Sequence, residues 1–153
     1  LIRPTKLYLG QKDYQQYRVI QAMVKKRYEN RIKIGLVPTV REKSGLAISS
    51  RNKYLSVSSL AKAQNIYKSL LSCREMVYEG QRSVDKITRF MKQSLEQSKI
   101  GKVEYADIVD SQTLTKVVQL DPKKTPEVLM GCAIQTGNVR LIDNILVRIT
   151  NVS

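Results

Sequence analysis

The chain contains no histidine and no tryptophan, only one phenylalanine, and two cysteines in 153 residues. Without histidine it has no His-based zinc site, no Ser-His-Asp triad and no imidazole general base of its own. Cys73 and Cys132 lie far apart, form no C-x-x-C pair and sit in apolar surroundings. They read as reduced core thiols of a cytosolic protein. No run approaches the roughly 18 consecutive apolar residues of a membrane span. The chain opens Leu1-Ile2-Arg3-Pro4, without Met and without a signal-peptide pattern. That opening is expected of a piece of a longer, cytoplasmic gene product.

What is abundant is positive charge. The net charge is +14, and it is unevenly placed. Residues 1–55 carry 13 Lys and Arg against 3 Asp and Glu, a balance of +10, whereas residues 56–153 carry 14 against 10, a balance of +4. A basic front half implies an anionic partner such as a phosphate, a nucleotide or a nucleic acid. Part of the excess is a solvated surface, because Lys25, Lys26, Arg27, Arg31 and Lys33 cluster around a predicted helix end, where cations favour the dipole.

The apolar pattern divides the chain near residue 41. Lys6 to Leu9 reads as a short strand ending at Gly10. Asp13 reads as the N-cap of a helix over 14–29, with Tyr17, Ile20, Val24 and Tyr28 at helical spacing. Arg31 to Val37 reads as a second strand, stopped by Pro38. Strand, helix and strand in this order form a βαβ unit with parallel pairing. One such unit cannot cover both faces of a parallel sheet, so residues 1–41 are expected to be the C-terminal remnant of a larger doubly wound domain. Residues 42–153 read as a small α+β domain. Ser56 caps a helix over 57–79 that ends at Gly80, and Ser83 caps another over 84–98 with Phe90 or Met91 facing inward. Strands follow near 103–110, 127–135 and 139–148, the last two joined by a tight turn at Gly137-Asn138.

Two segments suit chemistry on phosphates. Gly10-Gln11-Lys12-Asp13 runs from a strand end into a helix start, where free N–H groups and a lysine can meet an anion. The same segment also reads as a capping box, Asp13 with Gln16 three residues on, and a cap can hold the geometry that a site needs. Gly45 to Asn52 combines a glycine that permits close backbone approach, two adjacent hydroxyls and the planar fork of Arg51. It reads either as a surface loop with a serine-rich helix entry or as a loop that closes over a triphosphate. Arg140 and Asp143 on the last predicted strand read as structural, ion-paired or surface residues with no catalytic part.

Taken in order and spacing, these segments resemble the pantoate–β-alanine ligase family. The likeness runs through Leu9-Gly10-Gln11-Lys12-Asp13-Tyr14-Gln15-Gln16, Val37-Pro38-Thr39-Val40-Arg41-Glu42, and Gly45 to Asn52 with Tyr54-Leu55. It returns weakly in Tyr105 to Asp110 and clearly in Ala133 to Asn144. The resemblance implies an ATP-dependent ligase of pantothenate and coenzyme A biosynthesis that joins pantoate to β-alanine through a pantoyl adenylate, releasing AMP and pyrophosphate. It implies a nucleotidyltransferase-type Rossmann domain with a smaller C-terminal lid, a homodimer in the full-length enzyme, and no nucleic-acid or membrane partner. It further implies that Gly10, Gln11, Lys12, Asp13, Val40, Ile48, Ser49, Ser50 and Arg51 contact ATP and that Gln16 contacts pantoate. Lys12, Ser49, Ser50 and Arg51 are the implied catalytic residues. Lys12 and Arg51 suit charge building on phosphate oxygens, and the serines suit donation to phosphate, since no neighbouring base activates them as nucleophiles. Mg2+ is expected with the triphosphate, although no carboxylate here stands out as its ligand.

The departures are informative. The family's His-x-x-His signature and most of its β-alanine contacts belong to a first half that this chain does not contain. Gln11 stands where Glu is usual, and Leu9 where an aromatic is usual. The chain alone is therefore expected to be inactive. The rival reading is a basic nucleic-acid-binding module. The charge favours it, but among eight Tyr, one Phe and no Trp no RNA-binding signature is visible.

Overall fold

A computed structural model describes residues 3–28 and 31–150. Backbone packing divides the chain into two compact units, Leu1–Val40 and Arg41–Ser153.

In the first unit, strand β1 (Lys6–Gly10) leads through a 3-10 turn (Gln11–Asp13) into helix α1 (Tyr14–Tyr28), and strand β2 (Lys33–Val37) follows. The strands pair in parallel, with Leu7 opposite Ile34 and Leu9 opposite Leu36. Gly35 lies beneath the Tyr8 ring, where an added Cβ would come within 2.7 Å of Cδ1, so only glycine fits without a shift. The elements agree with the sequence reading, with three differences. The helical run begins at Gln11, with Gly10 as its cap, so Asp13 lies inside the first turn and not ahead of it. An acid there still favours the helix dipole. Arg31 and Ile32 stay outside β2, and Glu29, the last residue of the expected helix, is outside the described residues. Of the expected apolar face of α1, Val24 is buried while Tyr28 is exposed. Tyr14 and Val24 are the buried apolar side chains among the described residues of this unit. That is the thin core expected of a parallel pair lacking covered faces.

The second unit holds the main core. Helices α2 (Val57–Tyr78) and α3 (Val84–Gln97) pack on an antiparallel sheet of order β3 (Lys102–Asp110), β4 (Glu127–Thr136) and β5 (Val139–Arg148). Both helix starts follow from local chemistry: the Ser56 hydroxyl accepts from the Ser59 N–H and the Ser83 hydroxyl from the Lys86 N–H. Each satisfies a donor that the first turn would leave bare. Gly80, at φ +97°, ends α2 in the left-handed region that glycine tolerates. Leu70, Cys73 and Val77 of α2 meet Ile87, Met91 and Leu95 of α3 and Met130, Ile134 and Val147 of the sheet in one buried cluster. Met91 is the inward residue of its pair, with Phe90 exposed. Ser69 and Ser94 join the helices through a 2.7 Å hydroxyl contact. β4 and β5 keep an unbroken register along their length up to the Gly137-Asn138 turn, with Cys132 opposite Asp143.

Candidate functional site

The segment from Arg41 to Leu55 is shaped by its own backbone. Arg41 and Ala47 form an isolated antiparallel bridge, and between them the Glu42 N–H donates to the Leu46 carbonyl and the Gly45 N–H to the Glu42 carbonyl. Gly45 adopts φ +90° over the Tyr67 ring of α2. Leu46 and Ala47 then turn inward and are buried. Beyond them the chain emerges with Ile48 exposed. It forms a 3-10 turn over Ser50–Tyr54, where the sequence pattern alone reads as loop.

Ser49 caps that turn. Its hydroxyl oxygen accepts from the Arg51 N–H at 3.2 Å, and its carbonyl accepts from the Asn52 N–H at 3.1 Å. The half-buried Ser49 hydroxyl keeps its own proton for donation. Asn52 ties the turn to its root, donating from Nδ2 to the Ala47 carbonyl at 3.2 Å. Ser50 and Arg51 are exposed. Arg51 borders a groove of about 610 Å³ shared with Tyr54, Ser56, Ser59 and the Gly137-Asn138 hairpin tip. One turn thus presents two hydroxyls and a five-donor fork on the same short stretch, an arrangement suited to phosphate oxygens.

The root of this segment is held by Arg41, to which the sequence reading gave no separate role, and by Asp143, which it read as structural and which is ion-paired here. The Arg41 guanidinium reaches the buried carboxylate of Asp143 through two bonds, Nη1 to Oδ2 at 2.6 Å and Nη2 to Oδ1 at 2.9 Å. Nη1 also donates to the Gly45 carbonyl at 3.1 Å and Nη2 to the Asn144 carbonyl at 3.4 Å. The guanidinium lies 3.7 Å from the Tyr67 ring centroid. Asp143 additionally accepts from the Asn144 N–H at 2.8 Å. Arg140, its neighbour on β5, pairs instead with Glu104 of β3 at 2.6 Å. Arg41 and Asp143 stand 102 positions apart, so no local spacing pairs them. The sequence signal is a single acid in a strand that is mostly apolar.

In the first unit, Gly10, Gln11, Lys12 and Asp13 share one turn at the carboxyl end of β1, and Gln16 is exposed one turn further along α1. A side chain at position 10 would meet nothing within 4 Å, so the backbone there is open to close approach. Val40 ends the unit with its side chain 64% exposed. The expected site residues therefore form two groups: Gly10 to Asp13, Gln16 and Val40 in one unit, and Ile48 to Arg51 in the other.

Where the fold displaces a pKa, it moves it away from neutrality. Burial pushes the Cys73 thiol up to about 12. Burial, and then the Asp143 carboxylate beside it, push Cys132 up further. Burial likewise raises the Tyr105 phenol. Both cysteines are free and buried, and no cluster of three His, Cys, Asp or Glu suited to a metal occurs among the described residues. No helix among the described residues is long and apolar enough to cross a membrane.

The family model described as pantoate-beta-alanine ligase matches residues 1–146 of the chain. A pantothenate synthetase of Thermosipho melanesiensis is 40% identical over 147 residues, covering 96% of this chain and 50% of that protein. One of Coprothermobacter proteolyticus is 41% identical over 155 residues, covering 97% and 51%. The crystal structure of pantothenate synthetase from Thermus thermophilus superposes with a TM-score of 0.84 at 34% identity, over 93% of this chain and 49% of that one. A pantoate-beta-alanine ligase of Francisella tularensis, solved in complex with beta-gamma ATP and beta-alanine, gives 0.57 at 32% identity over 94% and 44%. The chain spans about half the length of the curated relatives it matches.

Proposed function

Because the chain belongs to the pantoate-beta-alanine ligase family, we propose that it supplies the phosphate-holding half of an enzyme that makes pantothenate from pantoate, β-alanine and ATP. The pantoate carboxylate attacks the α-phosphate of ATP, and pyrophosphate leaves. The amine of β-alanine then attacks the acyl carbon of pantoyl adenylate, releasing AMP. The observation that carries this reading is the Ser49-capped turn, on which Ser50 and Arg51 are exposed and Arg51 borders a groove.

In this reading residues 1–41 close a Rossmann-like nucleotide domain, and residues 42–153 form the lid. Gly10, Gln11, Lys12, Asp13 and Val40 contact ATP, and the open backbone at Gly10 supports close approach by the nucleotide. Ile48 to Arg51 hold its phosphates. Gln16, exposed on α1, hydrogen-bonds pantoate. Lys12 and Arg51 stabilise charge on the leaving phosphate oxygens, which is worth most where water is excluded. The described residues offer no carboxylate cage for Mg2+, so no step here runs through the metal. The enzyme works in the cytoplasm, where ATP and the two small acids are dissolved. The complete enzyme is a homodimer, joined mainly through the half that this chain does not span.

The test joins this chain to the first half of the Thermosipho melanesiensis relative and measures AMP release from ATP. Release is expected to need pantoate, to rise with β-alanine, and to fall at least about 100-fold in Lys12→Ala, the order of one lost charge-stabilising donor. A well-folded chimera that releases no AMP would sink the reading. The 153-residue chain by itself is expected to form no pantothenate.

A further inference from the structure

The Arg41–Asp143 pair is larger in its reach than an ion pair needs to be. A buried pair of this kind gives little net stability over well-packed apolar residues of the same volume. Its contacts all converge on the root of one loop. The guanidinium spends its fork on the two Asp143 oxygens and on the carbonyls of Gly45 and Asn144, with Tyr67 stacked beneath it. Further contacts lead outward: Arg41 bridges to Ala47, the Asn52 side chain donates to the Ala47 carbonyl, and the Asn52 N–H donates to the Ser49 carbonyl. Side-chain hydrogen bonds, a backbone bridge and a short covalent stretch thus link a carboxylate that is 3% exposed on β5 with the turn that carries the exposed side chain of Arg51. All of it lies within the second unit.

We infer that Arg41 and Asp143 are positioning residues for phosphate: they hold the Gly45–Asn52 segment so that Ser49, Ser50 and Arg51 meet a polyphosphate already in place. The inference rests on the phosphate role of those three residues given above. Its physical basis is preorganisation. A loop fixed before binding loses less side-chain and backbone freedom on contact with its ligand, and the saving appears as affinity. The pair touches no substrate itself and acts only through the loop.

The experiment measures binding of inorganic tripolyphosphate to the 153-residue chain at fixed ionic strength. The variants are Arg51→Ala, Asp143→Asn, Arg41→Lys and the double variant Asp143→Asn/Arg51→Ala. Ile87→Val, a change within the helical core, controls for lowered stability alone. Asp143→Asn and Arg41→Lys are each expected to weaken binding about tenfold, the equivalent of roughly 1.4 kcal/mol. Arg41→Lys keeps the charge and loses the fork, so it separates geometry from electrostatics. It also stands in if Asp143→Asn fails to fold. The double variant is expected to lose less than the sum of the two single losses, because coupled residues do not add in full. Ile87→Val is expected to melt earlier and bind as the wild type. Wild-type affinity in both Asp143→Asn and Arg41→Lys, or losses that add in full to that of Arg51→Ala, would overturn the positioning role while leaving Arg51 a phosphate ligand. No binding by the wild type, or none lost in Arg51→Ala, would overturn the phosphate reading and this inference with it.

Discussion

Deleting one partner of the buried ion pair should cost far more than deleting both. Asp143 is 3% exposed and the Arg41 side chain 15%. Asp143→Ala leaves the half-enclosed guanidinium with its best acceptor gone. Breaking such a pair costs about 3–5 kcal/mol. The Tyr67 stack and the two carbonyls keep part of the guanidinium's company, and its slight exposure lets water reach it, so the lower end applies. A loss of about 3 kcal/mol is a large share of the roughly 5–15 kcal/mol that holds a domain folded. For a unit of this size it should lower the melting temperature by roughly 10–15 °C. Replacing both partners, as Arg41→Met with Asp143→Leu, removes the stranded charge and fills the space. That double variant should lie within about 1 kcal/mol of the wild type. Urea unfolding followed by far-ultraviolet circular dichroism measures both. If the double variant is as unstable as Asp143→Ala, the cost is one of packing, and the electrostatic account is refuted.

Two further outcomes follow from the core. The folded chain keeps the Cys73 proton to about pH 12, whereas the unfolded chain releases it near 9. The stability tied to that proton is therefore whole below pH 9 and is lost as pH rises toward 12, at about 1.4 kcal/mol per pH unit. Between about pH 8 and 10.5 the wild type should lose about 2 kcal/mol more than Cys73→Ala; parallel losses in urea titrations would contradict the assignment. Met91 is fully buried and its neighbour Phe90 is 40% exposed. Met91→Ala should therefore cost about 2–5 kcal/mol and Phe90→Ala under about 1 kcal/mol, and the reverse order in thermal melts would show that α3 is rotated.

What could be read from the sequence was what local chemistry decides. Ser56 and Ser83 announce helix starts because a hydroxyl there satisfies a bare N–H, and they cap in the structure. Gly80 and Gly137 mark reversals because both take positive φ. The Gly10 turn misled because two capping arrangements fit it: Asp13 with Gln16 makes a good box on paper, yet the 3-10 turn starts the helical run one turn earlier. Phe90 and Met91 could not be told apart, since adjacent residues differ by only about 100° around a helix. The phosphate-suited loop was visible from its residue types, but what fixes it was not. Tyr67, Asp143 and Asn144 reach Arg41 across other elements, and only tertiary structure brings them there.

The register of the β4–β5 hairpin has a consequence for which changes in chain length this family member can accept. Side chains alternate faces along a strand, so a slip of one residue exchanges every inward group for an outward one. Asp143 faces Arg41 only while it stands opposite Cys132, and that alignment is set upstream by the two-residue turn at Gly137-Asn138. One residue inserted at that turn, or between Arg140 and Asp143, would carry the carboxylate away and leave the base of the Ser49–Arg51 turn unanchored. The connection between β3 and β4, residues 111–126, is held separately, by bridges from Lys116 to Val109 and from Gln119 to Ser83 and by the buried Leu120. Homologous chains should therefore keep the β4–β5 hairpin at two residues.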